Sequence, residues 1–306
     1  FFAGLVLICL GGHRLVDAAV AIARKLGIPQ IVVGATIVSL GTTLPEILVS
    51  TTAAFDGSAA IAAGNAFGSI ICNTALIAGL TQTIRPSKKV EFSSLAWRSI
   101  FFFGALIVMN VVGYVTGAFG RPLGIGLLLL FSLYAYMSVI RSSSEGSEED
   151  GDEDYSAVSV PKQLLILVVC AAFLFVGANL LVDNGILIAE ALGVPERVIA
   201  VTFIALGTSL PELMTSVMSP IKGYGNVGLG NVLGANILNM LLVIGIPAVI
   251  QGIPLERSVV AVDMPLAGLV MGILFIPILI RKKSSRAQGI ILLGIYAAYC
   301  VMSFIS

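Results

Sequence analysis

Gly41-Thr42-Thr43-Leu44-Pro45-Glu46 and Gly207-Thr208-Ser209-Leu210-Pro211-Glu212 are the two stretches on which the fold turns. Each sets a proline immediately before a glutamate inside an apolar run, and the two stand 166 residues apart (212 minus 46). The same shift, without a gap, carries Gly11, Leu15, Val16, Asp17, Leu26, Gly27 and Pro29 onto Gly177, Leu181, Val182, Asp183, Leu192, Gly193 and Pro195. It also carries Ser50, Gly64, Asn65, Gly68, Asn73 and Gly79 onto Ser216, Gly230, Asn231, Gly234, Asn239 and Gly245. A single register held over that distance is an internal repeat, and in a membrane chain such a repeat points to the binding site.

That the chain is a membrane protein follows from composition. Of its 306 residues 58% are hydrophobic and 11% charged, against roughly 25% charged in soluble domains. Apolar runs long enough to cross a bilayer are expected at 1–24, 29–55, 59–82, 97–116, 122–140, 163–189, 196–219, 226–250, 259–280 and 288–305. Each half then has five spans, an odd number, so the second half enters the membrane in the opposite direction. The expectation is an all-α integral membrane protein with ten transmembrane helices in two inverted five-helix repeats. Residues 1–140 form the first repeat, 141–160 a linker and 161–306 the second repeat.

With ten alternating spans, Arg24, Lys25, Arg85, Lys88, Lys89, Arg98, Arg141, Lys162, Lys222, Arg281, Lys282, Lys283 and Arg286 fall on one side. Only Arg121, Arg197 and Arg257 fall on the other. Short cytoplasmic loops are enriched in Lys and Arg, so both termini are expected outside a cell membrane and the linker in the cytoplasm. The linker carries Glu145, Glu148, Glu149, Asp150, Asp152, Glu153 and Asp154 among Ser and Gly. It reads as a solvated connector; the spacing of a calcium-binding loop is not in it. Cys9, Cys72, Cys170 and Cys300 all lie in apolar spans without paired spacing and read as small hydrophobes. The formal net charge is zero, so no basic field argues for nucleic acid. The first residue is Phe1 rather than methionine, so a few preceding residues are expected.

A charged side chain at bilayer depth costs about 2.5–3.5 kcal/mol on insertion scales. Two glutamates related by the repeat, Glu46 and Glu212, need a shared reason to be there, and a bound cation supplies one. Pro45 and Pro211 each remove the backbone donor that would bond the carbonyl four residues earlier, Gly41 and Gly207, so both stretches are expected to open their helices. Ser39, Thr42 and Glu46 follow at i, i+3 and i+7, with Thr43 beside them. The matching set is Ala205, Thr208, Ser209 and Glu212, where Ala205 offers only its carbonyl. Asn65, Ser69 and Asn73 form a second polar stripe, matched by Asn231, Ala235 and Asn239. Gly64 and Gly68, like Gly230 and Gly234, let neighbouring backbones approach. A lone Thr, Ser or Gly in such a span is ordinarily packing or back-bonding; the paired glutamates are what single these out. Asp17 is read as structural, neutralised by Arg14, and its mate Asp183 likewise. The single histidine, His13, is read as an interior polar residue, and Asp263 as reaching the interface.

At the two glutamate stretches, and at Gly64-Asn65-Ala66-Phe67-Gly68-Ser69-Ile70-Ile71-Cys72-Asn73 and Gly230-Asn231-Val232-Leu233-Gly234-Ala235-Asn236-Ile237-Leu238-Asn239, the sequence resembles the calcium/cation antiporter superfamily, most of all its sodium/calcium exchanger branch. The resemblance implies Glu46 and Glu212 as central calcium ligands, with carbonyls of Thr42 and Thr208 added. It implies flanking sodium sites at Thr43, Ser209 and Ser69 and the carbonyls of Ser39 and Ala205, with Asn73 and Asn239 lining the centre. Ala235 departs from the serine matching Ser69, so one sodium site lacks a hydroxyl. Asn239 stands where potassium-dependent exchangers carry aspartate, which argues against potassium co-transport.

The implied activity is secondary antiport of calcium against sodium by alternating access, with spans 1 and 6 sliding against a core. The expected partners are those ions and the lipid bilayer, with no cofactor and a functional monomer. A proton/calcium antiporter would use the same glutamates, though Gly64-Asn65 lacks the glutamate those relatives carry three residues on. A channel would need a continuous pore. An intramembrane protease, the enzyme alternative, is disfavoured by the Thr and Asn set and by the repeat.

Overall fold

The computed structural model describes residues 2–87, 90, 92–142, 158–191 and 207–305. Its helices are α1 (Phe2–Leu26), α2 (Gln30–Phe55), α3 (Ala60–Ile84), α4 (Phe92–Thr116), α5 (Arg121–Ser142), α6 (Val160–Ala191), α7 (Leu210–Ile221), α8 (Gly225–Ile250), α9 (Val259–Arg281) and α10 (Arg286–Ile305). The strands β1 (Ala118–Phe119) and β2 (Ile253–Pro254) form one short antiparallel pair. Among the described residues, eight helices are long and apolar enough to cross a membrane, α7 and α10 falling outside that set. The expected span at 196–219 lies partly outside the described residues, as do Ala205, Arg197 and most of the linker. The chain is therefore an all-helical membrane protein.

Two ends of the bundle can be told apart from the turns. Positive-φ glycines end α1, α2 and α7 at Gly27, Gly57 and Gly223 (64°, 85° and 91°), a conformation open to glycine without steric cost. At one end Arg85 donates to the carbonyls of Pro220 (3.0 Å) and Ile221 (3.4 Å), and Val90 N–H to that of Lys282 (3.0 Å). At the other, Arg121 donates to the carbonyls of Val249 (3.1 Å) and Ile250 (3.2 Å), beside the β1–β2 pair. Arg85, Lys222 and Lys282 thus share an end, and Arg121 sits at the opposite one, the grouping that the charge asymmetry implies.

The helices meet on glycine. A methyl on Gly177 of α6 would lie 2.9 Å from the carbonyl oxygen of Gly4 in α1, and one on Gly11 would lie 3.1 Å from that of Cys170. The 166-residue shift exchanges these two contacts, since 4 maps to 170 and 11 to 177. Gly230 and Gly234 of α8 press on the backbone of α2 at Ile31 and Ala35, with Ser39 Oγ also against Gly234. For Gly64 and Gly68 the shift points to positions 197 and 201, outside the described residues.

Several polar readings need correction. His13 is exposed, because the buried stripe of α1 runs through Gly11, Gly12, Leu15 and Val16. Asp17 takes its counter-charge from Lys222 of the α7 end at 2.6 Å rather than from Arg14; the bundle brings together residues 205 positions apart. Asp183 is exposed. Asp263 is half-buried and accepts from Tyr299 Oη at 3.0 Å. Arg98, expected near the membrane surface, is fully buried in α4, which begins earlier than the expected span; its guanidinium lies 4.3 Å over Trp97. The four cysteines are free.

Close packing of α8 on α2 leads to a stability prediction. Gly234→Val should destabilise the protein by about 1–3 kcal/mol or more, the usual range for overpacking. Gly104→Ala, with no atom within 4 Å of the added carbon among the described residues, should be near neutral. Thermal unfolding of the detergent-purified variants measures both.

Candidate cation site between four helices

Helices α2 and α3, and their repeat-related partners α7 and α8, carry the predicted residues to one buried region. Ser39, Thr42, Thr43, Glu46, Ser69, Asn73, Ser209, Glu212, Ala235 and Asn239 are all buried, and Thr208 is half-buried. Ala205 lies outside the described residues. Glu46 is 0% exposed and Glu212 1%, so neither carboxylate reaches bulk solvent.

Local helix geometry differs from the expectation at Pro45. That residue sits inside an unbroken helix, Ser39–Phe55, and the irregular turn falls earlier, in a π-helical segment at Gly34–Val38. A wide turn upstream relaxes the register that proline disrupts, so the helix continues. In the second half the expected opening is present: Thr208 and Ser209 form a turn, and α7 starts at Leu210 with Pro211 in its first turn. Proline is tolerated there because first-turn N–H groups have no intrahelical acceptor. Wide turns recur in α3 at Cys72–Ala78 and in α8 at Asn239–Ile244. The shift maps 73 onto 239, so both asparagines sit in π-helical turns. Neither the periodicity nor the composition signalled these segments.

Cross-helix hydrogen bonds tie the four elements together. Thr43 Oγ1 donates to Glu212 Oε1 at 3.1 Å, joining α2 to α7. Thr42 Oγ1 approaches Asn231 Oδ1 at 3.3 Å, joining α2 to α8, and Ser39 O at 3.4 Å. Asn73 Nδ2 donates to Asn236 Oδ1 at 3.3 Å, joining α3 to α8. Within each half a repeat-related pair fixes neighbouring helices: Asn65 Nδ2 to Ser50 Oγ at 2.9 Å and Asn231 Nδ2 to Ser216 Oγ at 3.2 Å. Asn65 Nδ2 also reaches the carbonyl of Glu46, 3.3 Å. Asn65 and Asn231 were legible as a polar stripe; their use as struts was not.

Buried polar atoms without a hydrogen-bond partner among the described residues concentrate here. They include both carboxylate oxygens of Glu46, Oε2 of Glu212, Oγ of Ser209, Oδ1 of Asn73 and both amide atoms of Asn239. Buried polar groups are ordinarily paired, and an unpaired carboxylate is the costliest exception. This many oxygens from repeat-related positions form a hard-donor set suited to a hard cation.

The sodium/calcium exchanger protein family matches residues 1–140 and 162–305, nearly the whole chain. The chain belongs to the sodium/calcium exchanger family. An uncharacterized membrane protein of Methanocaldococcus jannaschii is 34% identical across 97% of this chain and 94% of the relative. The sodium/calcium exchanger MaX1 of Methanosarcina acetivorans is 29% identical across 98% of this chain and 96% of its own length. Among solved structures, the sodium-calcium exchanger NCX_Mj soaked with 10 mM Na+ and zero Ca2+ superposes with a TM-score of 0.82. It is 33% identical, over 100% of this chain and 97% of that one.

In this exchanger-family chain Asn231 bridges α8 to Ser216 of α7 and to Thr42 of α2. Asn231→Leu keeps the branching and heavy-atom count of the side chain but strands both partners, so stability should fall by about 1–3 kcal/mol. Thermal unfolding against Asn65→Leu, which strands the corresponding Ser50, measures how far the two halves share the load.

Proposed function

We propose that the chain is a secondary antiporter that exchanges calcium for sodium across a cell membrane by alternating access, with Glu46 and Glu212 as the central calcium ligands. The observation that carries this reading is the set of unpartnered buried oxygens on Glu46, Glu212, Asn73, Asn239 and Ser209. Family membership and the likeness to exchangers named for sodium and calcium support the choice of ions.

Our reading of the architecture is ten membrane helices in two inverted five-helix repeats, residues 1–140 and 161–306, joined by an acidic cytoplasmic linker. The exchanged glycine contacts between α1 and α6 support it, as does the matching pair of Asn–Ser struts. With the Lys- and Arg-rich end cytoplasmic, both termini lie outside. Carbonyls of Thr42 and Thr208 complete the calcium site. Thr43, Ser209, Ser69 and the carbonyls of Ser39 and Ala205 serve sodium.

Charge compensation couples the two fluxes. Two ionised carboxylates cannot be sealed from water without cations, because the desolvation cost is too high. One calcium or several sodium ions neutralise them, and only the loaded protein closes. The glycine-lined contact of α1 with α6 packs the two helices closely enough for the pair to move as one element. Net charge moved per cycle would respond to membrane voltage by about 2.3 kcal/mol per elementary charge per 100 mV.

Proteoliposomes test the proposal by calcium-45 uptake against an outward sodium gradient, with an outward proton gradient in parallel. Uptake should require sodium and fall to background in both Glu46→Gln and Glu212→Gln. Uptake driven by protons alone would transfer the site to proton/calcium antiport, and uptake indifferent to both substitutions removes it. Ala235→Ser, which restores the hydroxyl that Ser69 has in the first repeat, should lower the half-activating sodium concentration by about two- to tenfold.

A further inference from the structure

Behind Asn73 lies a polar cluster in an otherwise apolar layer between α3, α8 and α9. Thr74, Asn236 and Met271 are each 0% exposed. Thr74 Oγ1 donates to Met271 Sδ at 3.3 Å. Asn236 Nδ2 donates to Thr74 Oγ1 at 2.7 Å and to Met271 Sδ at 3.1 Å. Asn73 Nδ2 donates to Asn236 Oδ1 at 3.3 Å.

The direction of these bonds follows from chemistry. A thioether sulfur accepts and has no hydrogen to give. Asn236 must therefore turn its amino end to Met271 and Thr74; turned over, it would set its oxygen against the sulfur. Its oxygen then faces Asn73, which can answer only with its own amino group. Asn73 is left with its carbonyl oxygen buried and unpartnered. Nothing corresponding exists in the other half. The 166-residue shift places Ile70, Met240 and Ala105 where Asn236, Thr74 and Met271 stand, and both amide atoms of Asn239 are unpartnered.

We propose that Met271, Thr74 and Asn236 form a one-way hydrogen-bond relay that holds Asn73 with its carbonyl oxygen toward the carboxylates, where it serves as a fixed ligand for the cation. The three are positioning residues: they set cation affinity without touching the ion. Asn239, with no relay, supplies the adaptable amide of the pair. The inference rests on the cation-site reading above and adds to it which residues tune the affinity. Removing the thioether frees the Thr74 hydroxyl to donate to Asn236 instead. The relay then reverses, and Asn73 presents an amino group that repels the ion.

Met271→Leu, close in volume to the native residue, and Asn236→Leu, equal to it in side-chain heavy atoms, test it in proteoliposomes with Glu46→Gln as reference. The relay predicts that each raises the half-saturating calcium concentration about tenfold, the scale of one contact to a charged group. The maximal sodium-driven rate at saturating calcium and the thermal midpoint of Met271→Leu should stay near wild type. Should Asn236→Leu fail to fold, Met271→Leu decides alone. Unchanged half-saturation in a protein whose uptake Glu46→Gln abolishes overturns the relay and leaves the exchange reading standing. So does a fall in maximal rate and thermal midpoint with no change in half-saturation, which marks packing alone. Wild-type uptake in Glu46→Gln instead overturns the reading on which the relay rests.

Discussion

Glu46 and Glu212 are carboxylates buried away from bulk solvent, and much of the surrounding structure bears on making that burial tolerable. Each ionised group would cost several kcal/mol to bury unpaired. Thr43 donates a hydrogen bond to Glu212, and among the described residues both oxygens of Glu46 and Oε2 of Glu212 have no hydrogen-bond partner. The oxygens left over are matched by neutral donors of the same kind from Asn73, Asn239 and Ser209. Such a cluster is unfavourable as a core and favourable as a cage for a cation. On the exchange reading proposed above, the unfavourable half of that balance would couple the fluxes, an empty cage being costlier to seal than a loaded one.

Bringing these helices close together requires removing side chains from their contacts. Gly230 and Gly234 let α8 lie on the backbone of α2, and Gly4, Gly11 and Gly177 do the same for α1 and α6. The wide π-helical turns serve a related purpose. They free or misalign carbonyls that a regular helix would bond internally, and the hydroxyl of Tyr134 takes one of these, at Ala35, with a 2.8 Å bond from α5. Irregular backbone at membrane depth is sustained here because it is buried in protein.

The two halves are related but not equivalent. Helix α2 runs unbroken through Pro45, whereas α7 begins at Pro211 after a turn. Thr43 bonds Glu212, while among the described residues Ser209, its counterpart, makes no hydrogen bond to Glu46. Asn73 is held by Asn236, and Asn239 is not held. The proposed alternation between two exposures would need halves that are exchangeable in architecture and distinguishable in any one state.

Much of this was legible in the sequence, for a physical reason. Charges are so costly in hydrocarbon, and apolar spans so nearly fixed in length, that composition, spacing and one repeated register already specify a helical membrane protein with paired glutamates at its centre. Glycine and asparagine positions in the same register marked the close contacts and polar stripes. What sequence could not supply were facts about neighbours far apart in the chain. Lys222 rather than Arg14 neutralises Asp17, Arg98 is buried over Trp97, and His13 faces outward. The π-helical turns and the Met271–Thr74–Asn236 cluster also belong to this class. The turns at Cys72–Ala78 and Asn239–Ile244 match under the repeat but leave no period in the sequence, and the cluster has no counterpart at all, because a hydrogen bond's direction depends on which acceptor the folded chain places opposite it.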